Sequence, residues 1–366
     1  MNLPDGYRLV EIEPTPLDGP FEWAYRGAAE VVNAVNRAVL GTEEFCITAE
    51  NIVAALFSDL QRERRAVVVE GDDDEAASVV AHAYVRMPRD EDSRHATVNV
   101  LVLPGYRRRG LGSSLWSWID DVLRTEERTV ASVEVLFGDE SLEVASNNEG
   151  IAVSGVDSIL ADSPSVQWAM RRGFTVGQIL YVLSLDLPVP EGVLERLADD
   201  ARGKAQGYRT HVWVDAIPER WLEPYARLKA RMATDAPAGG LEVEKAQWDA
   251  EKVASVIRSY LNFGLRFQVT VAEHIATGEL AAFTELSYEL TDKTIVQRDT
   301  IVDPRHRGHR LGALIKIASL EQVEHDHPSA RHVWTWNAEE NTHMLAINAE
   351  LGFTVSRFSA EMQKRV

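Results

Sequence analysis

One turn is written twice in this chain, and it limits what the chain can fold into. Residues 102–115 read VLPGYRRRGLGSSL, and residues 302–315 read VDPRHRGHRLGALI. Pro304 falls on Pro104, Arg307 on Arg107, Leu311 on Leu111 and Gly312 on Gly112. Tyr208-Arg209 echoes Tyr7-Arg8, 201 positions on. Self-similarity on that scale points to two copies of one folding unit. The 366 residues suit two domains at roughly 100–200 residues each.

The order of elements repeats with the turn. The first copy opens on a strand pattern at 7–14, helical patterns at about 22–40 and 49–62, and alternating apolar runs at 66–70, 78–86 and 95–103. The acidic run 70–75 between the first two apolar runs reads as a solvated hairpin tip. Behind the turn, Leu111, Leu115, Trp118, Ile119 and Val122 recur at helical spacing. A strand at 129–137, a polar stretch to about 161, a helix at 163–172 and a strand region at 174–187 follow. Residues 188–207 lack apolar periodicity, begin with two prolines and read as a linker with a charged helical pattern. The order then restarts: strand 210–216, helices 219–232 and 246–260, strands 267–275, 279–288 and 294–302, the turn, its helix, strand 332–337, helix 341–350 and a last strand region. The expectation is two mixed α/β domains, 1–187 and 208–366, each with a mostly antiparallel sheet.

Composition narrows the partners. Lysine and arginine total 38 against 57 acidic residues, a formal charge of −19. Such a surface repels nucleic acid and anionic lipid and favours cationic small molecules. Cys46 is the single cysteine, so no intramolecular disulfide can form. The first residues show neither the basic nor the apolar region of a signal peptide. No apolar run approaches the roughly 20 residues of a membrane helix. A cytoplasmic location is expected.

In each copy a strand ends near a proline, turns through arginines and glycine, and enters a helix. A helix N-terminus exposes unpaired backbone N–H groups with partial positive charge, which suits phosphate. Glycine lets backbone approach a ligand where a Cβ would block it. A pyrophosphate is the natural partner. The Walker pattern and G-x-G-x-x-G are both absent.

These residues resemble the acyl-CoA loop of the GNAT acyltransferase superfamily, [QR]-x-x-G-x-[GA]. Arg107, Arg108, Arg109, Gly110, Leu111 and Gly112 match it in full. Arg307, Gly308, His309, Arg310, Leu311 and Gly312 match except at Arg310, where glycine is usual. Asn341, Met344, Asn348 and Leu351-Gly352-Phe353 resemble the family's signature after strand five. The first half keeps only Arg172-Gly173-Phe174, with Asp162 and Ala169 in place of Asn341 and Asn348. DAPAGGLEVE at 235–244 and GELAAFTEL at 278–286 look like tandem GNAT proteins of actinobacterial type, related in architecture to mycothiol synthase. The resemblance is strong over 208–366 and moderate over 1–187.

The resemblance implies two tandem GNAT domains, each a seven-stranded, splayed sheet flanked by helices, with acetyl-CoA between strands four and five. It implies cofactor contacts from Leu101, Val102 and residues 107–112 in the first copy. In the second it implies Ile301, Val302, residues 307–312 and Asn341. Acetyl passes directly to an amine in a ternary complex. At neutral pH a lysine-like amine costs roughly 4.6 kcal/mol to deprotonate, so a base helps. Candidate bases are Glu285 and Asp299. The first copy has Thr97 and Asn99 across from these positions, and neither is a base. Asn348 stands where many family members carry a thiolate-protonating tyrosine. It can donate a hydrogen bond but not a proton, and Tyr260 and Tyr288 are possible substitutes.

The N-terminal domain therefore reads as degenerate, structural or holding CoA without turnover, and the C-terminal domain as catalytic. The acceptor is a small-molecule amine. The alternatives are acetylation of an amino-sugar conjugate, as in mycothiol synthase, and a non-catalytic acyl-CoA-binding protein. The tandem repeat already forms a pseudo-dimer, so the chain is expected as a monomer or homodimer. His325-Asp326-His327 reads as solvated sequence rather than a metal site, and Cys46 as a small core residue.

Overall fold

The computed structural model describes residues 3–90, 92–137, 144–147, 150–235, 237–244, 247–290 and 293–366. The first elements are β1 (Tyr7–Ile12), α1 (Glu22–Leu40), α2 (Ala49–Leu56), β2 (Gln61–Glu70), β3 (Val79–Pro88), β4 (His95–Val102), α3 (Leu111–Thr125) and β5 (Val130–Phe137). Then come β6 (Val144–Asn147), β7 (Gly150–Val153), α4 (Val156–Asp162), α5 (Pro164–Met170), β8 (Thr175–Asp186) and α6 (Val193–Lys204). The second half adds β9 (Tyr208–Val214), α7 (Glu219–Ala230), α8 (Met232–Asp235), α9 (Ala250–Asn262), β10 (Arg266–His274), β11 (Glu279–Tyr288) and β12 (Thr294–Val302). It ends with α10 (Leu311–Asp326), β13 (His332–Ala338), α11 (Thr342–Leu351) and β14 (Thr354–Arg365). Residue 246, where the sequence starts a helix, lies outside the described residues.

The chain packs into two compact units. Unit 1 holds Met1–Leu136, Pro164–Val176 and Glu361–Val366, and unit 2 holds Phe137–Ser163 and Gly177–Ala360. Sequence repeats and packing units therefore divide the chain differently. The last residues of the chain belong to unit 1, where the Val366 amide donates to the Thr129 carbonyl at 2.9 Å. Most of β8 belongs to unit 2, antiparallel to β13 from His332↔Asp186 to Ala338↔Leu180.

In unit 1, β1, β2, β3 and β4 pair antiparallel in order, and β4 lies parallel to β5. Tyr25, Ala28 and Val31 of α1 and Ile52 of α2 bury against Val67 and Val69 of β2. Thr48 starts α2 with a reciprocal capping box to Asn51, which satisfies two orphan donors. The β3–β4 register runs unbroken from Ala81↔Val102 to Arg86↔Thr97.

In unit 2 the strand order is β14-β8-β13-β12-β11-β10-β9. Trp221 and Tyr225 of α7 and Val253 and Ile257 of α9 pack on Phe267, Val269 and Phe283. The helix α10 was expected to bury one face through Leu311, Leu314, Ile315 and Ala318. Instead it is enclosed on most sides, with Leu311–Ile317, Ser319, Leu320 and Val323 buried. The sheet lies along it, and α6 and α11 also pack on it. The charged segment 188–207 thus supplies a cover for α10, with Ala198 and Ala201 of α6 buried.

Two features of unit 2 shape a site. The β11–β12 pairing reads Thr284↔Thr300 and then Leu286↔Gln297. Arg298 and Asp299 therefore stand opposite the single residue Glu285, which is a β-bulge in β12. Strands β12 and β13 run parallel only at Thr294–Val296 and His332–Trp334, and then part. The bulge falls where they separate. Unit 1 has the same parting, after Thr97 and Ser132, but no bulge.

Candidate active site

Both turns take the same backbone path. A short 3-10 turn, Pro104–Tyr106 or Pro304–His306, leads to two left-handed residues and then the helix. The left-handed pair is Arg108 (φ 63) and Gly110 (φ 88) in unit 1, and Gly308 (φ 86) and Arg310 (φ 56) in unit 2. Each copy thus has glycine at one of the two positions and arginine at the other. Left-handed residues in such a turn can direct backbone N–H groups toward one concavity, an anion cradle at a helix N-terminus. A Cβ on Gly308 would meet nothing within 4 Å, so the cradle is open there. Arg307, Gly308 and His309 are exposed. The residues therefore fit the phosphates of acetyl-CoA. On Gly312 a Cβ would come within 3.0 Å of Ile347 Cδ1 and 3.8 Å of Val302 Cγ2. That brings together Val302, Gly312 and the helix α11. Ile301 is buried in the core.

Arg310 holds a backbone conformation that costs an L-residue roughly 1–2 kcal/mol. Its guanidinium reaches Glu350 on α11 at 2.7 and 3.0 Å and Asp200 on α6 at 3.0 Å. The side chain therefore points away from the cradle, and its ion pairs offset the strain. Arg310→Ala keeps the strain and loses the pairs, whereas Arg310→Gly loses both. In denaturant unfolding the alanine variant should fall below the glycine variant by about 1–2 kcal/mol. Equal stabilities would remove the strain argument.

The two candidate bases meet at one ammonium. Lys229 Nζ of α7 donates to Glu285 Oε1 and Oε2 at 2.6 and 2.7 Å and to Asp299 Oδ2 at 2.7 Å. The Tyr225 hydroxyl also donates to Glu285. Burial alone would push the Lys229 ammonium down, but the two carboxylate charges outweigh it and hold it above the ordinary lysine range. Burial also pushes the Glu285 carboxyl above its usual value, with the Lys229 charge pulling back and the Asp299 charge adding to the rise. Glu285 is 2% exposed, while the Asp299 side chain is 44% exposed. Asp299 is therefore the member of the pair that solvent reaches. Tyr260 stacks on Phe267 nearby, whereas Tyr288 stacks on His327.

Asn348 belongs to a second cluster. It is fully buried on α11, accepts from Lys316 Nζ at 3.0 Å and donates to Asn337 Oδ1 at 2.5 Å. Asn341 caps α11, its Oδ1 accepting from the Met344 amide at 3.3 Å. His309 and His306 pack around Tyr208, which bonds His306 Nδ1 at 2.9 Å.

The same positions in unit 1 are chemically different. Strand registers place Tyr84 where unit 2 has Glu285, with Arg65 and Arg86 guanidinium groups 5.2 and 5.1 Å from its ring. Asn99 pairs with Tyr84, and Thr97 with Arg86. In the turn, Arg107 bonds the Val102 carbonyl at 3.2 Å and Arg109 bonds the Tyr7 hydroxyl at 2.9 Å. Leu101 packs on the unit 1 core, and Leu111 is buried. The Trp168 ring lies 3.5 Å from where a Gly112 Cβ would stand.

Lys229 and Lys316 were missed in the sequence. The signal for the first is the i, i+4 pair Tyr225 and Lys229 on one helix face. The signal for the second is a lone lysine within the apolar run LGALIKIASL. Cys46, expected in the core, is exposed. Among the described residues no group of three or more His, Cys, Asp or Glu side chains could hold a metal, and no helix is long and apolar enough to cross a membrane.

Residues 40–142 match the acetyltransferase (GNAT) family model. No curated protein matches the chain. Its fold is similar to that of a tandem GNAT protein from the clavulanic acid biosynthesis pathway, at 24% identity and a TM-score of 0.70 over 98% of each chain. It is also similar to a GCN5-related N-acetyltransferase from Sphaerobacter thermophilus, at 15% identity and a TM-score of 0.60, covering 100% of this chain and 97% of that one. A GNAT-family acetyltransferase domain is thus identified at residues 40–142, and the fold of the chain is a tandem GNAT fold.

Proposed function

We propose that unit 2 transfers acetyl from acetyl-CoA directly to the amine of a small molecule in a ternary complex. The observation that carries this is the β12 bulge, which sets Asp299 and Glu285 at the point where β12 leaves β13, on the strand that leads into the phosphate cradle. Amides of 308–312 and the α10 N-terminus receive the donor's phosphates. The bulge leaves a strand amide outside the ladder, where it can donate to the thioester oxygen as negative charge develops. Asp299 takes the amine proton, and Glu285 and Lys229 fix its carboxylate. The net charge of −19 favours a cationic acceptor.

Unit 1 carries the turn without the acids or the bulge, and we read it as structural or as holding acyl-CoA without turnover. The domains behind this division are 1–187 and 208–366, joined by 188–207. Because β8 and the chain end pack outside their own sequence repeats, the test uses the whole chain. Gly308→Val adds a β-branched side chain at φ 86 where the cradle must stay open. Thiol release from acetyl-CoA with a panel of amines should fall at least ~100-fold, and calorimetry should show one CoA site fewer. Full transfer by Gly308→Val would put the working site elsewhere and overturn the proposal.

A further inference from the structure

Lys316 sits in the second turn of α10, directly behind the phosphate cradle. Its side chain is 2% exposed. Among the described residues no carboxylate lies within ion-pair distance of it, and Asn348 is the hydrogen-bond partner of its ammonium. The Phe353 ring lies on another side, 5.7 Å away. Burial pushes Lys316 down to about 7. A buried cation without a counter-ion is costly, and it favours any negative charge that arrives nearby.

The hydrogen bonds from Lys316 have one direction. Its ammonium donates to Asn348 Oδ1, and Asn348 Nδ2 donates to Asn337 Oδ1. Asn337 lies on β13 beyond Trp334, in the stretch that has parted from β12, and it is not fully buried. The Asn348 amide dipole thus lies between the buried charge and Asn337, with its positive end toward Asn337. The fold does not require this chain. Aligning the two turns places Trp116 at the position of Lys316, and aligning the Gly-Phe pairs places Ala169 at that of Asn348. Aligning the parallel strands places Val135 at that of Asn337. All three counterparts in unit 1 are apolar.

We infer that Lys316, acting through Asn348 and Asn337, is a positioning charge that stabilises the thiolate leaving from the β12–β13 opening of unit 2. This rests on the acetyl-transfer reading above. In the transfer the thioester C–S bond breaks with its electron pair on sulfur while the amine nitrogen forms the new C–N bond. An ammonium sheds two protons in all: the first passes through the solvent-exposed Asp299 to water before attack, the second goes to Asp299 as the amide forms, and no proton crosses the asparagines. Sulfur therefore leaves as an anion. The sequence offers no tyrosine at the Asn348 position, and this chain supplies charge in place of a proton.

The test reads the thiol itself and needs no acceptor. CoA is bound to the full chain, and the ultraviolet absorbance of its thiolate is titrated against pH. A free thiol ionises near roughly 8.5. Bound to the unaltered chain, the CoA thiol should begin to ionise at lower pH than when bound to Lys316→Met, because a thiolate and the Lys316 ammonium each favour the charged form of the other. Asn348→Leu removes the hydrogen-bond partner of the Lys316 ammonium and cuts the chain, and should shift the thiol titration upward as well. It also serves if Lys316→Met does not fold. CoA affinity in acid, where the thiol is protonated, should be equal in all three, because a purely structural defect would weaken it. Equal thiol titrations with CoA bound would overturn this inference alone. Failure of the unaltered chain to bind CoA would overturn the acetyl-transfer reading and this inference together.

Discussion

Lys229→Met should destabilise unit 2 by about 3–5 kcal/mol at neutral pH, the cost of leaving a buried charge without its partner. Glu285 keeps only the Tyr225 hydroxyl, and Asp299 turns to solvent. The methionine itself fits a wall already made of Phe283 and Trp248, both near the Lys229 ammonium. The loss is therefore electrostatic rather than a packing defect, and pH separates the two. In the variant, burial holds the folded-state pKa of Glu285 above its unfolded value of about 4.3. An acid of that kind contributes its full stability below the unfolded pKa and loses it as pH rises through the folded one. The deficit against the unaltered chain should thus be small in acid and full at neutral pH. A second substitution, Glu285→Gln, should recover part of it, since the neutral amide still bonds Tyr225 without carrying charge. Chemical denaturation of the unaltered chain and the two variants at two pH values measures this. A deficit that ignores pH would mean that Lys229 matters as a hydrocarbon stem, not as an ammonium.

Much of this architecture was legible because it is periodic or repeated. The two turns, their helices and the hairpin strands lie close to where alternation and helical spacing put them, and the left-handed positions follow from the glycines at 110 and 308. Arg108 and Arg310 were the exceptions. Nothing local tells a reader that an arginine adopts a left-handed conformation, and at Arg310 the compensation comes from Asp200 and Glu350, 110 and 40 positions away. The bulge in β12 was equally hidden, since nothing within TIVQRDTIV marks an extra residue and only the partner strand counts it. The membership of β8 in unit 2 is a pairing choice between two similar edges, which sequence pattern does not encode. The polar stretch near 138–161 concealed β6, β7 and α4 because short elements with little apolar character give no period to read. In the site, carboxylates on strands drew the eye as bases. Their shared partner Lys229 comes from a helix 56 and 70 positions earlier, a distance at which no spacing rule operates.

That shared partner decides how the two carboxylates should differ when each is made neutral. Asp299→Asn removes the exposed carboxylate, the one an amine can approach, and should lower kcat for acetyl transfer by roughly 10²–10³ while CoA binding is unchanged. Because solvent can still deprotonate the amine, the residual rate should climb with pH toward the amine's own pKa, near 10.4 for an alkyl amine. The unaltered chain should level off earlier. Glu285→Gln acts differently. It leaves Asp299 in place but withdraws one of the two carboxylates that hold Lys229, so the ammonium is left to Asp299 alone and competes with the amine for that carboxylate. The rate should fall less than in Asp299→Asn. The two variants therefore separate the residue that touches the amine from the residue that tunes it. If both retain full turnover across the pH range, the proton leaves by water alone, and the triad of Lys229, Glu285 and Asp299 is a structural clasp between α7 and the bulged strand.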